Sequence, residues 1–318
     1  MAAAAPAPHP DPLADPLSDA ALATSLEGGF TSRHADAGPV RLHYVEGGAG
    51  TPVLLLGGWP QTWWQWRRLM PGLARRHRVL AVDLRGMGAS AKPAAGYDKK
   101  TMAGDIRALC EALDLGPVHV VGHDIGAMVG YALAVEHPAA VARLALLDVP
   151  HPHPGWLTMP LLPGDPDQAN APAAGREGAF LWWFALNQVR GLPERLLAGQ
   201  GMRAVVDWLA DYLAADPAAL DERARRVYAR AYADPEAIRA GNAWYQAFGT
   251  DIAHSRAHTP VRVPLLALGG ERGNHADLAR WAPGAGTDVR VAAIADCGHY
   301  LPEERPQEVL AALAGFLD

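Results

Sequence analysis

The 318-residue chain has only two cysteines, Cys110 and Cys297, far apart and without metal-ligand spacing. That excludes a disulfide-stapled scaffold and a cysteine zinc site, and it makes a reduced, cytoplasmic setting the simplest expectation, with a single bridge left open. No apolar run reaches the roughly 18 to 20 residues of a membrane helix, so no membrane partner is expected. Basic runs are also missing: 28 Lys and Arg stand against 34 Asp and Glu, for a net charge of −6. Phosphate-backbone binding therefore has no electrostatic basis, and nucleic acid is not an expected partner. What is present is apolar: 50% of residues are hydrophobic and 19% charged, enough to bury a large globular core. The first 25 residues are rich in Ala and Pro, carry Asp11, Asp15 and Asp19, and lack the basic start and unbroken apolar stretch of a secretory signal. They read as a flexible or loosely docked extension.

From residue 40 onward, β-rich runs alternate with helical patterns, which predicts an α/β fold: a mostly parallel twisted sheet flanked by helices. The strands are read at 40–45, 52–56, 78–82, 118–121, 141–147, 263–268 and 289–294. Helices are read at 101–113, with Ile106, Leu109, Cys110 and Leu113 at helical spacing, and at 127–136. Strand signals vanish between 150 and 259, where a Pro- and Gly-rich stretch leads into helical patterns at 178–187, 203–214 and 221–232. The expected organisation is a core of residues 26–149 and 260–318 with a helical lid, 150–259, over the carboxyl edge of the sheet, where open α/β folds bind ligands.

Within this frame, Gly122-His123-Asp124-Ile125-Gly126 follows a strand and opens a helix. It has the G-x-Nu-x-G form of a nucleophile elbow, with Asp124 where lipases and esterases carry serine. Glycines are needed because the turn is too sharp for side chains at 122 and 126. A carboxylate here displaces at carbon and forms an alkyl ester, in place of serine acyl transfer. The competing reading is an ordinary turn with Asp124 as a helix cap. His299 follows the last strand, where such a fold keeps its general base. Asp148, ending the strand at 141–147, is favoured to orient the imidazole; Glu271 is the rival, since Gly273 stands where an aspartate would be expected. The backbone amides of Trp59 and Ile125 are the expected oxyanion donors.

The G-H-D-x-G elbow, the W-P-Q segment at 59–61, D-L-R-G-x-G-x-S at 83–90 and C-G-H-Y-L-P-E-E at 297–304 together resemble the epoxide hydrolase and haloalkane or fluoroacetate dehalogenase branch of the α/β-hydrolases, from about residue 30 onward. One departure is visible: the branch usually has His-Gly before W-P, and here the pair is Gly57-Gly58. By the resemblance, Tyr245 matches the tyrosine that assists ring opening, Trp182 falls where related enzymes have histidine, and adjacent Trp183 is an alternative donor. Simple packing is the other reading for both tryptophans. Positions 125 and 128, arginines in fluoroacetate-type enzymes, are Ile125 and Met128, which argues for a neutral substrate. Trp59, Trp63, Trp64, Trp66, Trp182, Trp183 and Trp244 lie in segments expected to line the cleft, and Trp59, Trp63, Met128 and Trp244 are the expected substrate contacts. If half of those tryptophans face inward, the pocket suits a large flat aromatic ligand, such as a natural-product epoxide. The resemblance implies an epoxide hydrolase needing neither metal nor organic cofactor. A dehalogenase and a non-catalytic binding protein on the same fold are the alternatives. The expected partner is a small, neutral, apolar molecule, and a homodimer is left open.

Overall fold

The computed structural model describes residues 13–160, 162–165, 167, 171–173 and 179–318. Its frame is an eight-stranded sheet of β1 (Thr31–Ala37), β2 (Val40–Gly47), β3 (Thr51–Leu56), β4 (His77–Val82), β5 (Val118–His123), β6 (Val141–Leu147), β7 (Leu265–Gly270) and β8 (Val289–Ile294). The spatial order is β1-β2-β4-β3-β5-β6-β7-β8. β1 pairs antiparallel with β2 and β2 with β4; every other pairing is parallel.

The central strands are apolar on both faces because both are covered. Leu54, Leu56, Leu80, Val82, Val120, Leu144 and Leu146 join the cluster that also holds Ile106, Leu109 and Val129 from the helices Lys99–Ala112 and Ile125–Glu136. Their alternate neighbours Val53, Leu55, Val79, Ala81, Val121, Ala145 and Leu147 join the opposite cluster, with Val309 and Leu313 of the C-terminal helix Pro306–Leu317. The period of two in a strand sends successive side chains to opposite layers.

All seven expected strands are present, the one read at 263–268 shifted to Leu265–Gly270. The strand not foreseen, β1, is mostly exposed and polar, so it lacks the apolar alternation that marks a half-buried strand. The helix read at 101–113 begins at Lys99 because the Asp98 carboxylate accepts from the Thr101 amide and caps it. Between β6 and β7 the described residues form helices and no strand: Trp182–Gln188, Leu192–Leu197, Gly201–Leu213, Glu222–Ala231, Pro235–Gln246 and Phe248–Ser255. Residue 178 lies outside the described residues, and the helix read at 178–187 begins at Trp182, after the non-helical Leu181.

The N-terminal segment differs from its reading. Residues 1–12 lie outside the described residues, but Asp19–Thr24 is a helix capped by Ser18, with Leu22 and Ala23 fully buried. The Trp63 indole N–H donates to Asp19 at 2.6 Å, tying this helix to the body of the protein. An Ala- and Pro-rich composition hides one well-placed leucine. Leu22→Ala should therefore lower unfolding stability by about 2–5 kcal/mol, the usual cost of truncating a buried leucine, measured by urea denaturation. A change of a few tenths would show the helix to be loosely held.

Candidate active site

The end of β5 sets the geometry. Asp124 has φ 53° and ψ −125°, a strained backbone for a residue with a side chain, and its carboxylate makes no capping bond to the helix it precedes. The cap reading therefore fails. The strain is held by close backbone packing: a Cβ at Gly122 would drive into the Gly126 carbonyl, and one at Gly126 into the Leu56 carbonyl. Gly58 packs directly on Asp124, where a Cβ would overlap the Asp124 Cβ.

This packing brings the Trp59 amide to donate to Asp124 Oδ1 at 2.9 Å, and the Ile125 amide also donates to the carboxylate. Burial, the largest influence, raises the Asp124 carboxyl above its ordinary value; His299 and the two amides oppose it. The departure at Gly57 also finds its compensation here: a Cβ at 57 would lie 3.1 Å from Gln65 Nε2, so the buried Gln65 side chain occupies the space beside the loop.

His299 Nε2 lies 3.9 Å from Asp124 Oδ2, too long for a hydrogen bond, so the imidazole stays free to address water. On its other side, His299 Nδ1 is 2.8 Å from Asp148 Oδ2. Asp148 is fully buried and also accepts from the Gly270 amide at 2.9 Å and from the Asn274 amide and side chain at 3.0 and 3.1 Å. The absent acid at 273 now has a reason. A Cβ there would stand 2.8 Å from Asp148 Oδ1, so the carboxylate delivered from β6 fills the space. The rival Glu271 is exposed and accepts from the Asp296 amide. His123, buried beside the base with ring centroids 4.7 Å apart, donates from Nε2 to the His299 carbonyl at 2.8 Å. Burial alone would lower His299; the hydrogen bond and charge of Asp148, with the charges of Asp124 and Glu304, more than offset it and leave the imidazole raised.

Asp124 and His299 open into a cavity of about 700 Å³. Tyr245 and Trp183, from the helices between β6 and β7, line it, and the Trp183 side chain hydrogen-bonds that of Tyr245. Burial, then the Asp124 charge, raises the Tyr245 phenol well above its ordinary value, so it keeps its proton.

Of the expected substrate contacts, Trp59 lines the cavity and three do not. Trp63 is turned to the opposite layer, against Asp19. Met128 is buried in the core, on the sheet side of its helix. Trp244, one residue and about 100° around the helix from Tyr245, donates its indole N–H to the Arg85 carbonyl at 2.9 Å. Trp64 and Trp66 pack beneath the sheet with Trp63, and Trp182 lies against Trp208 at 5.2 Å between ring centroids, outside the cavity wall. Two of the seven tryptophans thus face inward, fewer than the half required. The aromatic lining comes instead from Trp156, Phe180, Phe184 and Tyr300, of which the Leu181-Trp182-Trp183-Phe184 run carried the one available signal. Nor are cations absent: Arg272 and Arg280 stand in the cavity wall, paired with Asp296 and Asp277.

A mostly parallel sheet with a strained elbow at the end of β5 defines an α/β-hydrolase fold. Residues 51–179 match the family described as the alpha/beta hydrolase fold. A soluble epoxide hydrolase of Corynebacterium sp. (strain C12) is 32% identical over 301 residues, covering 90% of this chain and 97% of its own. A fluoroacetate dehalogenase of Burkholderia sp. is 30% identical over 301 residues, covering 91% and 94%. The crystal structure of Cfl2 from Burkholderia cenocepacia superposes with a TM-score of 0.82 at 36% identity, covering 92% of this chain and 96% of that one. The chain belongs to the α/β-hydrolase superfamily, in its epoxide hydrolase and dehalogenase branch, and it is a hydrolase.

Asp148→Asn removes the partner that raises His299, leaving burial less opposed, so the His299 pKa should move downward in an NMR titration while turnover drops on the order of 10⁴-fold. An unmoved His299 would show that Asp148 does not set its protonation.

Proposed function

We propose that the chain opens a neutral, bulky aromatic epoxide to a vicinal diol through an ester on Asp124.

 The reading rests on one observation: a carboxylate on a nucleophile elbow shares a cavity with an acid-supported histidine on one side and a protonated tyrosine on the other. The helices between β6 and β7 act as the lid over it. Oδ1 of Asp124 already accepts from the Trp59 amide, and Oδ2 is the oxygen 3.9 Å from His299 Nε2, so Oδ2 attacks the epoxide carbon. The C–O bond of the ring breaks, and its electron pair goes to the oxygen held by Tyr245, whose phenol donates the proton. A neutral phenol suits this step because an alkoxide is a strong base. Trp183, donating to the Tyr245 oxygen, helps the resulting phenolate form.

In the ester, the carbonyl oxygen is the former Oδ1, already beside the Trp59 amide, with the Ile125 amide also donating to the carboxyl group. His299 takes a proton from water, which adds to the ester carbonyl, and the two amides hold the developing oxyanion. Collapse breaks the ester C–O bond, His299 returns its proton to the departing oxygen, and the proton left on the Asp124 carboxyl passes through water to the Tyr245 phenolate, which releases the diol and restores both groups. Esterification also removes the Asp124 charge, one of the influences that raise His299, so the imidazole becomes a less protonated group when a neutral base is needed. The size of the cavity and the aromatic rings in its wall support a bulky aromatic epoxide, of the kind found among natural products. A dehalogenase is the second reading: the Trp183 and Tyr245 donors also suit a halide, and a fluoroacetate dehalogenase is among the relatives.

His299→Gln should permit attack and block hydrolysis, so intact-mass analysis after adding an aryl epoxide should show an adduct on Asp124, with turnover down by about 10³-fold or more. Full turnover in this variant would remove His299 from its role; halide release from neutral alkyl halides without epoxide consumption would favour the second reading. Protonated His299 cannot act as base, so ester hydrolysis should fall as pH drops. Its acid limb, read from single-turnover decay of the ester, should lie below the His299 pKa titrated by NMR in the free enzyme. A limb at or above that pKa would contradict the loss of charge at Asp124.

A further inference from the structure

A second cavity, of about 230 Å³, lies behind the catalytic one. Its walls come from the chain leaving the core after β6, at His151 and Pro152, and the chain returning to it, at His258 and Pro260, with Tyr131 and Trp281 completing the wall. The two cavities share a partition. Val149, Pro150 and Arg280 line the catalytic side, and the next residues along the chain, His151 and Trp281, line this one.

The walls are mostly rings. Tyr131 lies 4.9 Å from Trp281, 5.3 Å from His151 and 5.9 Å from His258 between centroids, and the two imidazoles are 5.1 Å apart. Tyr131 spends its hydroxyl proton on the Ala285 carbonyl. His151 is buried, and its Nδ1 donates to the Met128 carbonyl at 3.1 Å, which leaves Nε2 as an acceptor; it has no hydrogen-bond partner among the described residues. Burial, then the charge of His258, pushes His151 down to about 3, so the ring is neutral. A buried acceptor without a donor is a standing cost to the fold.

Three imidazoles and Ser255 give these walls polar atoms as well as rings, so a ligand that displaces water here must bring a hydrogen bond of its own. A metal is a poor fit, because the described groups of three or more metal-ligating side chains lie elsewhere, at Asp19, His43 and Asp83 and at Asp98, Asp251 and His254. An apolar cavity of about 150 Å³ takes benzene, so this one has room for a single substituted ring.

We propose that this cavity binds a small planar aromatic molecule with one O–H or N–H donor, a phenol being the simplest, with its ring among Tyr131, His258 and Trp281 and its donor on His151 Nε2. The site stands independently of the reaction proposed for Asp124.

Phenol and toluene, which differ by the donor, test it by calorimetric titration of the full chain. Phenol should bind about tenfold more tightly than toluene, and His151→Phe, which keeps an aromatic ring but removes the acceptor, should bring the two within about twofold. Gly284 lines the cavity and an added Cβ there meets nothing within 4 Å, so Gly284→Phe should fill the space without backbone strain. It should weaken phenol by about tenfold or more while leaving the circular dichroism spectrum and epoxide turnover unchanged. Equal binding of phenol and toluene would overturn the assignment. So would a phenol isotherm unaltered by Gly284→Phe, which would place phenol in the catalytic cavity, and so would no binding at all.

Discussion

The hydrogen bond from the Trp59 amide to Asp124 Oδ1 is the contact on which the site is built. It requires two loops, one after β3 and one after β5, to approach until only glycine fits between them. Gly58 lies against the Asp124 side chain, and Gly126 lies against the Leu56 and Gly57 carbonyls. Parallel pairing of β3 with β5 puts the two strand ends at the same height and makes the approach possible. The bond fixes one carboxylate oxygen at the donors and leaves the other to face the cavity. The ester proposed on Asp124 would keep this placement of the carboxyl group, so its formation would need little reorganisation.

The same economy of space decides the acid. Asp148 and a side chain at 273 compete for one volume, and Asp148 occupies it. The Gly270 amide at the end of β7 and two donors of Asn274 in the loop after it then hold its carboxylate, so that loop braces Asp148 without placing a carboxylate of its own on His299. His299 is braced on its backbone as well: its amide donates to the Leu213 carbonyl at 3.1 Å, and its carbonyl accepts from His123. Leu213 belongs to the helix Gly201–Leu213, so the inserted helices touch the catalytic loop directly. A second link runs through buried Glu303, which accepts from Gln61 beside the W-P segment, from Arg67, and from Tyr228 of the helix Glu222–Ala231. Core loops and inserted helices are thus joined at the nucleophile's rim.

Much of this was legible in the sequence because it depends on local pattern. Strands covered on both faces must be apolar, and an elbow must have glycines at fixed offsets, so β3 to β8 and Asp124 could be found by reading. Asp148 and His299 follow from their places at strand ends. Side-chain direction in irregular segments was not legible. Trp63, Trp64 and Trp66 sit in a short 3₁₀ helix whose orientation is set by packing against Asp19 and His43, and no periodicity in four residues could reveal it. β1 was missed for the opposite reason: it is held by backbone pairing to β2 and buries little.

The rim shows why substrate charge could not be read from positions 125 and 128 alone. Ile125 and Met128 are buried in the core and put no cation beside Asp124, yet Arg272 and Arg280 stand in the cavity wall, delivered by the chain between β7 and β8. Each is exposed and paired with an aspartate, so in this high-dielectric setting neither contributes more than a small net attraction for an anion. A carboxylate beside the reacting carbon would meet apolar floor and the Asp124 charge, which repels it. A polar group far along a large substrate would reach the paired arginines instead. The case for a neutral substrate thus concerns the surroundings of Asp124 and does not extend to the part of the wall that holds Arg272 and Arg280.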